Sequence, residues 1–409
     1  MKAMENRERE SAGQHQGGAM KKGWTVKRLG DLFAFKNGRA FKKEEWTTKG
    51  LPIIRIQNLN NEDASFNYFA GEYSQDILVE PGDLLFSWSG TVGSSFGSHL
   101  WNGEPGVLNQ HIFKIRLRET IAKRYAFHGL RYITAEIEQS VSGAVGLVHI
   151  TKEKLNEFTL PVPPLAEQQR IVGLLDEAFE GLATAKANAE KNLQNARALF
   201  ESHLQSVFTQ RGPGWKQKTL EEIATTFGRG KSKHRPRNEP KLYGGKHPFI
   251  QTGDIRNADH FITEYSQTYS ELGLAQSKLW PKGTICITIA ANIAETAILG
   301  FDACFPDSVI GVVANPKEAE VGFIEYLLQS FKARIQALGK GSAQANINMG
   351  TFENERFPFP PVTQQRGIVQ KLDALSEETQ QLARLYEQKH AALEALKKSL
   401  LHQAFTGEL

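Results

Sequence analysis

The stretch Pro163 to Asp176, PPLAEQQRIVGLLD, returns from Pro360 to Asp373 as PPVTQQRGIVQKLD. A constant offset of 197 positions pairs Ile171 with Ile368, Leu175 with Leu372 and Phe208 with Phe405, so these segments align without a gap. Upstream the match persists while the offset drifts: Gly23-Trp24 answers Gly214-Trp215, Ile54 answers Ile250, Gly82 answers Gly283 and Gly143 answers Gly341. Repetition on this scale constrains architecture more than any local propensity does. It predicts one duplicated unit, a globular head free to diverge followed by a long helix held in register.

Within each head the pattern is of short strands. LPIIRIQNLN and HPFIQTGDIRN each put a β-rich run after a proline, and PGDLLFSWSG and PKGTICITIA follow turn residues with another. In HIFKIRLR, Phe113, Ile115 and Leu117 alternate with Lys114, Arg116 and Arg118, the period of a half-buried strand. A helix follows in each head, YAFHGLRYITAEIEQS and VGFIEYLLQSFKARIQAL. Trp24 and Trp215 open the two halves at equivalent positions and read as repeated packing residues.

The segment after Pro163-Pro164 carries Ile171, Leu175, Ala178, Leu182, Ala185, Ala189, Leu193, Ala196, Phe200, Leu204 and Val207 at spacings of three and four, ending at Gly212-Pro213-Gly214. That is a coiled-coil seam. The second copy gives Ile368, Leu372, Leu375, Thr379, Leu382, Tyr386, Leu393, Leu396, Leu400 and Ala404. Ala185 stands where the second copy has Leu382, and Ala196 where it has Leu393. This small-against-large complementarity favours pairing of the two helices with each other, antiparallel, as a rod about 66 Å long at ~1.5 Å per residue. The expected fold is α/β (α+β), pseudo-twofold, with mixed sheets in two heads separated by this coiled coil. The expected bounds are a disordered tail or leader over 1–19, a first head over 20–160, a first helix over 161–211, a second head over 212–357 and a second helix over 358–409.

Only two cysteines occur, Cys286 and Cys304, both among apolar neighbours. A disulfide framework is excluded, and the expectation is core thiols in a cytoplasmic protein. No apolar run reaches the ~18 residues of a membrane span. Forty-nine basic side chains against forty-five acidic ones leave a net charge of +4, too little to identify a partner. The local run GRGKSKHRPRNEPK, from Gly228 to Lys241, is a positive patch in a Gly/Pro-rich loop. Its Gly-Lys-Ser lacks the earlier glycine of a phosphate loop, Thr225 standing there. The eleven histidines show no metal-ligand spacing, and no metal site is expected. Nor is there an Asn/Asp-Pro-Pro-Tyr/Phe methyltransferase motif.

The duplicated Pro-Pro-x-x-Glu/Gln-Gln-x-x-Ile-Val-x-x-Leu-Asp pattern, each copy opening a long helix behind a variable head, resembles the specificity subunit of type I restriction-modification systems. The resemblance covers residues 20 to 409. It implies that each head is a target recognition domain reading half of a bipartite sequence in double-stranded DNA. It also implies that the coiled coil docks two methyltransferase subunits, which recruit the restriction subunits, and that catalysis with its S-adenosylmethionine, ATP and Mg²⁺ belongs to those partners. This chain would hold no cofactor. Glu167, Gln168, Arg170, Gln364, Gln365 and Arg366 become the expected partner-binding residues; Gln364 for Glu167 and Gly367 for Arg170 are the departures between copies.

Arg and Lys read guanine, Asn and Gln adenine, Asp cytosine, and basic groups grip phosphates. On those grounds the candidates in the first head are Lys36, Asn37, Arg39, Lys42, Lys43, Arg55, Gln57, Asn58, Trp88, Ser89, Thr91, Asn109, Gln110 and His111. In the second they are Arg229, Lys231, Lys233, Arg235, Arg237, Gln251, Asp254, Arg256, Asn292, Asp307, Gln344 and Asn346. A different reading remains open, a coiled-coil scaffold that binds protein partners without reading DNA.

Overall fold

The computed structural model describes residues 21–61, 63–91, 96–141, 147–233, 236–290, 292–339, 347 and 349–409, and the expected tail lies outside these. The chain divides into two units, Met1–Asn188 with Lys389–Leu409, and Ala189–Gln388.

The first unit is built on an antiparallel sheet of β1 (Phe33–Asn37), β2 (Leu84–Ser87), β3 (Gly97–Leu100) and β4 (Ile112–Leu117), in the spatial order β1-β4-β2-β3. The alternation along β4 buries Phe113 and Ile115 and turns Arg116 to solvent. Helix α1 (Lys123–Val141) lays Tyr125, Leu130 and Ile133 on Phe35, Leu84 and Phe113. A second, mixed sheet orders Tyr68–Phe69, Leu51–Ile54, Gly106–Leu108 and Leu78–Val79 around a separate core of Ile53, Val79, Trp101 and Val107. Thr25–Arg28 pairs with Thr159–Val162, bringing the start and end of the head together where helix α2 (Leu165–Thr209) departs.

The second unit repeats the plan. Strands β5 (Ala224–Arg229), β6 (Phe261–Ile262), β7 (Ile285–Thr288), β8 (Thr296–Leu299) and β9 (Val309–Ala314) lie in the order β5-β9-β7-β8-β6, with β6 parallel to β8. Helix α3 (Val321–Gly339) covers them through Phe323, Ile324 and Leu327. Lys216–Lys218 pairs with Phe357–Phe359 before helix α4 (Val362–Thr406). Trp215 packs on Phe208 and Phe323, with centroids 6.4 and 6.1 Å apart, and Trp24 packs on the first core, as expected of the repeated tryptophans. Cys286 and Cys304 are buried free thiols, and burial raises the pKa of both.

The runs after Leu51 and His247 are not strand throughout. Arg55 N donates to Asn58 Oδ1 at 3.1 Å and Gln251 N to Asp254 Oδ2 at 2.8 Å. A polar acceptor three residues on caps a short helix, Ile56–Asn60 or Thr252–Asn257, and ends the strand.

Each unit contains a stretch of both long helices, and within each they run antiparallel. In the first unit Lys186 Nζ meets Glu394 Oε1 at 2.8 Å while Arg170 Nη2 donates to Leu409 O at 2.7 Å. In the second, Arg197 pairs with Glu387 at 2.8 Å, and Phe200 shares a cavity with Thr379 and Gln380. Ile171, Leu175, Ala189, Ala196 and Leu204 are buried as the seam requires, as are Leu372, Thr379 and Ala404, while Leu400 is half-buried and its neighbour Leu401 is the buried one. Leu382 and Leu396 are not; both are exposed, and the half-buried stripe runs through Ala383, His390 and Lys397. Both alternatives satisfy a spacing of three and four, so the large-on-small complementarity assigned to Leu382 is corrected. Among the described residues no helix is long and apolar enough to cross a membrane.

Candidate nucleic-acid interface

The two main sheets gather the candidates at the same end. In the first head Asn37 pairs with Phe113 and Ser87 with Ile112, so the ends of β1 and β2, Trp88 and the loop 109–111 before β4 lie together. In the second, Arg229 pairs with Ile310 and Thr288 with Val309, which joins Arg229, Asp307 and the loop after β7. A glycine makes the close approach possible in each. A Cβ on Gly38 would sit 2.1 Å from Asn109 O, and one on Gly230 would sit 2.3 Å from Phe305 O.

In the first head Trp88 Nε1 donates to Gln110 O at 3.1 Å, and its ring lies 5.3 Å from His111 and 6.1 Å from His149. Burial, with His149 nearby, lowers the His111 pKa. Lys36 shares Asp76 with Arg116, at 3.3 and 2.9 Å. Arg39 pairs with Glu45 and lies over Phe41 and Phe69 at 4.9 and 5.0 Å. Arg55 Nη2 donates to Ser65 O at 3.4 Å, whereas Lys42, Lys43 and Gln57 are exposed.

In the second head Arg237 forks onto both oxygens of Asp307 at 2.8 and 2.7 Å, and Arg229 Nε donates to the Asp307 carbonyl at 2.7 Å. Arg256 Nη1 reaches Asn292 Oδ1 at 3.5 Å, and Gln251 Nε2 donates to Gln267 Oε1 at 2.6 Å. Lys231 and Lys233 are exposed, and among the described residues neither side chain makes an ion pair. Asp307 thus holds two arginine-bearing segments together, Arg237 through its carboxylate and Arg229 through its backbone carbonyl, while Lys231 and Lys233 make no ion pair among the described residues.

Some candidates are corrected. Asn58 is 5% exposed; it caps Arg55 N and donates to Ala64 O at 3.1 Å, leaving nothing for a base. Asp254, its counterpart, accepts from Gln251 N and Ser266 Oγ with its two oxygens. Ser89 is buried. Arg235, Gln344 and Asn346 lie outside the described residues, and of Thr91 only the backbone is described. Arg116, His149 and Lys278, the last with Nζ 3.5 Å from the Trp280 ring centroid, join the candidates only through strand pairing and ring contacts that linear spacing does not show.

The residues expected to meet partners divide in two. Gln168 and Gln365 are 1% and 0% exposed, which removes them from any partner surface. Gln168 Oε1 accepts from Ala122 N and its Nε2 donates to Pro163 O; Gln365 does the same with Glu320 N and Pro360 O. About two helical turns later Asp176 accepts from Arg124 and His128, and Asp373 from Tyr326 Oη at 2.7 Å. Burial opposes ionisation of Asp176, but hydrogen bonds from Arg124 and His128 outweigh it and hold its carboxyl below the ordinary value. The repeated Gln and Asp therefore bolt helix to head. Glu167, held at a pKa of about 2 chiefly by its hydrogen bond from Arg170, is on the surface with Arg170, Gln364 and Arg366.

The sequence family described as "Type I restriction modification DNA specificity domain" matches twice, over residues 21–193 and 213–389. The chain belongs to this family. The specificity subunit of the type I restriction enzyme EcoBI from Escherichia coli is 25% identical over 91% of the chain and 83% of its own length. The putative MjaX specificity subunit of Methanocaldococcus jannaschii is 23% identical over 96% and 95%. Among solved structures, a chain from work on complex assembly and conformational transition of the type I R-M system superposes with a TM-score of 0.79 at 20% identity, over 96% of this chain and all of that one. The HsdS subunit of Thermoanaerobacter tengcongensis gives 0.61 at 20% identity, over 97% of this chain and all of that one. This chain is therefore a type I specificity subunit with two recognition domains, and as such is non-catalytic.

Proposed function

We propose that the chain reads a bipartite sequence in double-stranded DNA, one half with each head, and docks two methyltransferase subunits on its long helices. The carrying observation is the repeated gathering of polar and basic residues at one end of each main sheet, beside Gly38 and Gly230. In the first head these are Asn37, Asn109, Gln110 and His111; in the second, Arg229, Asp307 and Asn292, with Lys231 and Lys233 free for phosphates. Asn and Gln suit adenine, Arg suits guanine, and free lysines supply sequence-independent grip.

Exposed leucines support the docking role: Leu165, Leu174 and Leu396 in the first unit, and Leu199, Leu382 and Leu385 in the second, all on α2 or α4. Apolar side chains grouped on one exposed face mark a surface that a partner covers, and Leu382 and Leu385 lie three residues apart on α4. Restriction subunits would join through the methyltransferase, and S-adenosylmethionine, ATP and Mg²⁺ would be bound by those partners in the cytoplasm. The test is anisotropy of a labelled duplex carrying the methylated motif, with the methyltransferase subunit present. Sequence-selective, salt-dependent binding supports the reading. Complex formation without any preference among duplexes supports the protein scaffold instead.

A further inference from the structure

Strands β3 and β8 hold equivalent places, and their outer edges differ. Trp101 N donates to Asp83 O as Leu299 N donates to Thr284 O, both at 2.9 Å; Gly82 N reaches Trp101 O as Gly283 N reaches Leu299 O. Trp101 therefore corresponds to Leu299, Leu100 to Ile298 and Asn102 to Gly300. By strand alternation, the amides of Leu100 and Asn102 face away from β2.

In the second head those outer amides are occupied. Ile298 N donates to His260 O and Gly300 N to Ile262 O, both at 3.0 Å, as β6 runs parallel to β8. In the first head, among the described residues, the amides of Leu100 and Asn102 have no backbone partner. The cause is chain length. Asn58 corresponds to Asp254 as the helix cap, and Phe69 to Tyr269 as partner of Leu51 or His247. Eleven positions separate the first pair and fifteen the second, so the first head lacks the four residues that make a fifth strand.

A cavity of about 1060 Å³ lies along β3. Leu59, Phe66 and Trp101 form one wall, Phe127 and Arg131 of α1 the other. Arg131 makes no salt bridge among the described residues; its guanidinium lies over Phe127 and Phe179 at 5.4 and 5.7 Å. We propose that this cleft accepts an extended segment of a partner protein, which adds to β3 as a parallel strand in the way β6 adds to β8 and brings a carboxylate to Arg131.

An open sheet edge supplies main-chain affinity, and the flanking walls select side chains. The occupant is not a second copy of this chain, because the matching strand β6 is already used in its own sheet. Its chemistry is set by the walls: two or three apolar residues in extended conformation, with an acid at one end.

The chain itself supplies a probe. Asp259 to Glu264 reads DHFITE, the β6 segment with an acid at each end. Fluorescein-labelled DHFITE is titrated into the full-length protein and followed by anisotropy. Saturable binding is expected, at least tenfold weaker for Arg131→Glu and at least tenfold weaker for a peptide N-methylated at its isoleucine. The methylated peptide leaves the protein unaltered, so its loss cannot come from misfolding. No saturation by 1 mM peptide (about −4 kcal/mol), or equal binding of the methylated and plain peptides, overturns the proposal. So does a cleft that takes duplex DNA, with Arg131→Glu weakening the duplex and not the peptide.

Discussion

Gln168 Oε1 accepts a hydrogen bond from Ala122 N at 2.8 Å, and one repeat later Gln365 Oε1 accepts from Glu320 N at 2.9 Å. Both amides lie at the start of a head helix, where no intrahelical acceptor exists. The other end of each side chain donates to a proline carbonyl, Pro163 or Pro360. Gln168→Leu keeps the volume and strands two buried polar groups, so a loss of about 1–3 kcal/mol is expected. Gln365→Leu should cost a similar amount. Urea denaturation checks both; unchanged midpoints would show that the clamps contribute nothing.

Lys231 and Lys233 should bind phosphate without regard to sequence. Lys231→Ala with Lys233→Ala is expected to weaken every duplex by the same factor and to reduce the slope of log affinity against log salt by about 2, from ~0.9 per phosphate contact. Titrations at several salt concentrations measure that slope. A loss restricted to the cognate duplex would mean that these lysines read bases.

Leu382 and Leu385 are 41% and 56% exposed on α4. Charged substitutions there should leave the unfolding free energy within about 0.5 kcal/mol of wild type, as surface changes do. They should lower the yield of complex with the methyltransferase subunit by at least tenfold. Size-exclusion chromatography of co-expressed subunits reads the result, and full assembly by Leu385→Glu would move the docking surface elsewhere.

Burial, with a contribution from Arg131, lowers the pKa of His99 from 6.5 to about 4. Burial also lowers His128, although Asp176 opposes it. A depressed folded-state value means that the neutral imidazole stabilises the fold above the unfolded pKa, and that this is lost as pH falls from 6.5 toward 4. His260 is opposite in sign. Burial lowers it, but Glu325, whose Oε2 lies 2.7 Å from Nδ1 outside hydrogen-bond alignment, outweighs burial with Asp373 and Asp259, and the net pKa is raised. Its contribution is complete below the ordinary value of 6.5 and disappears as pH rises through its raised one. Melting curves of the wild type and His99→Gln across pH 4 to 7 should converge toward the acid end; parallel curves would remove His99 from the account.

The duplication was legible because the helical segments keep one offset, and the alternation along β4 shows directly in burial. Long-range pairing was not. Gln168 and Gln365 read as surface residues because nothing local shows Ala122 N or Glu320 N beside them. Leu382 and Leu396 fit a three-four stripe as well as Ala383 and Lys397 do, and only the packed neighbour selects between the two faces. The acceptor function of Asn58 and Asp254 depends on a helix start that follows a strand without any apolar signal. Among the DNA candidates, the sheet-end grouping of Asn37 with loop 109–111, or of Arg229 with Asp307, follows from strand register rather than from spacing.

Arg229 and Arg237 both converge on Asp307 at the sheet end of the second head. Genome-wide mapping of methylated adenines, in cells carrying wild-type chain or Arg229→Ala with Arg237→Ala, tests directly whether each head reads its own half-site. Relaxed or altered bases confined to one half of the motif are predicted, with the other half and the spacer retained. An unchanged motif, or changes in both halves, would contradict the assignment of one half-site to each head.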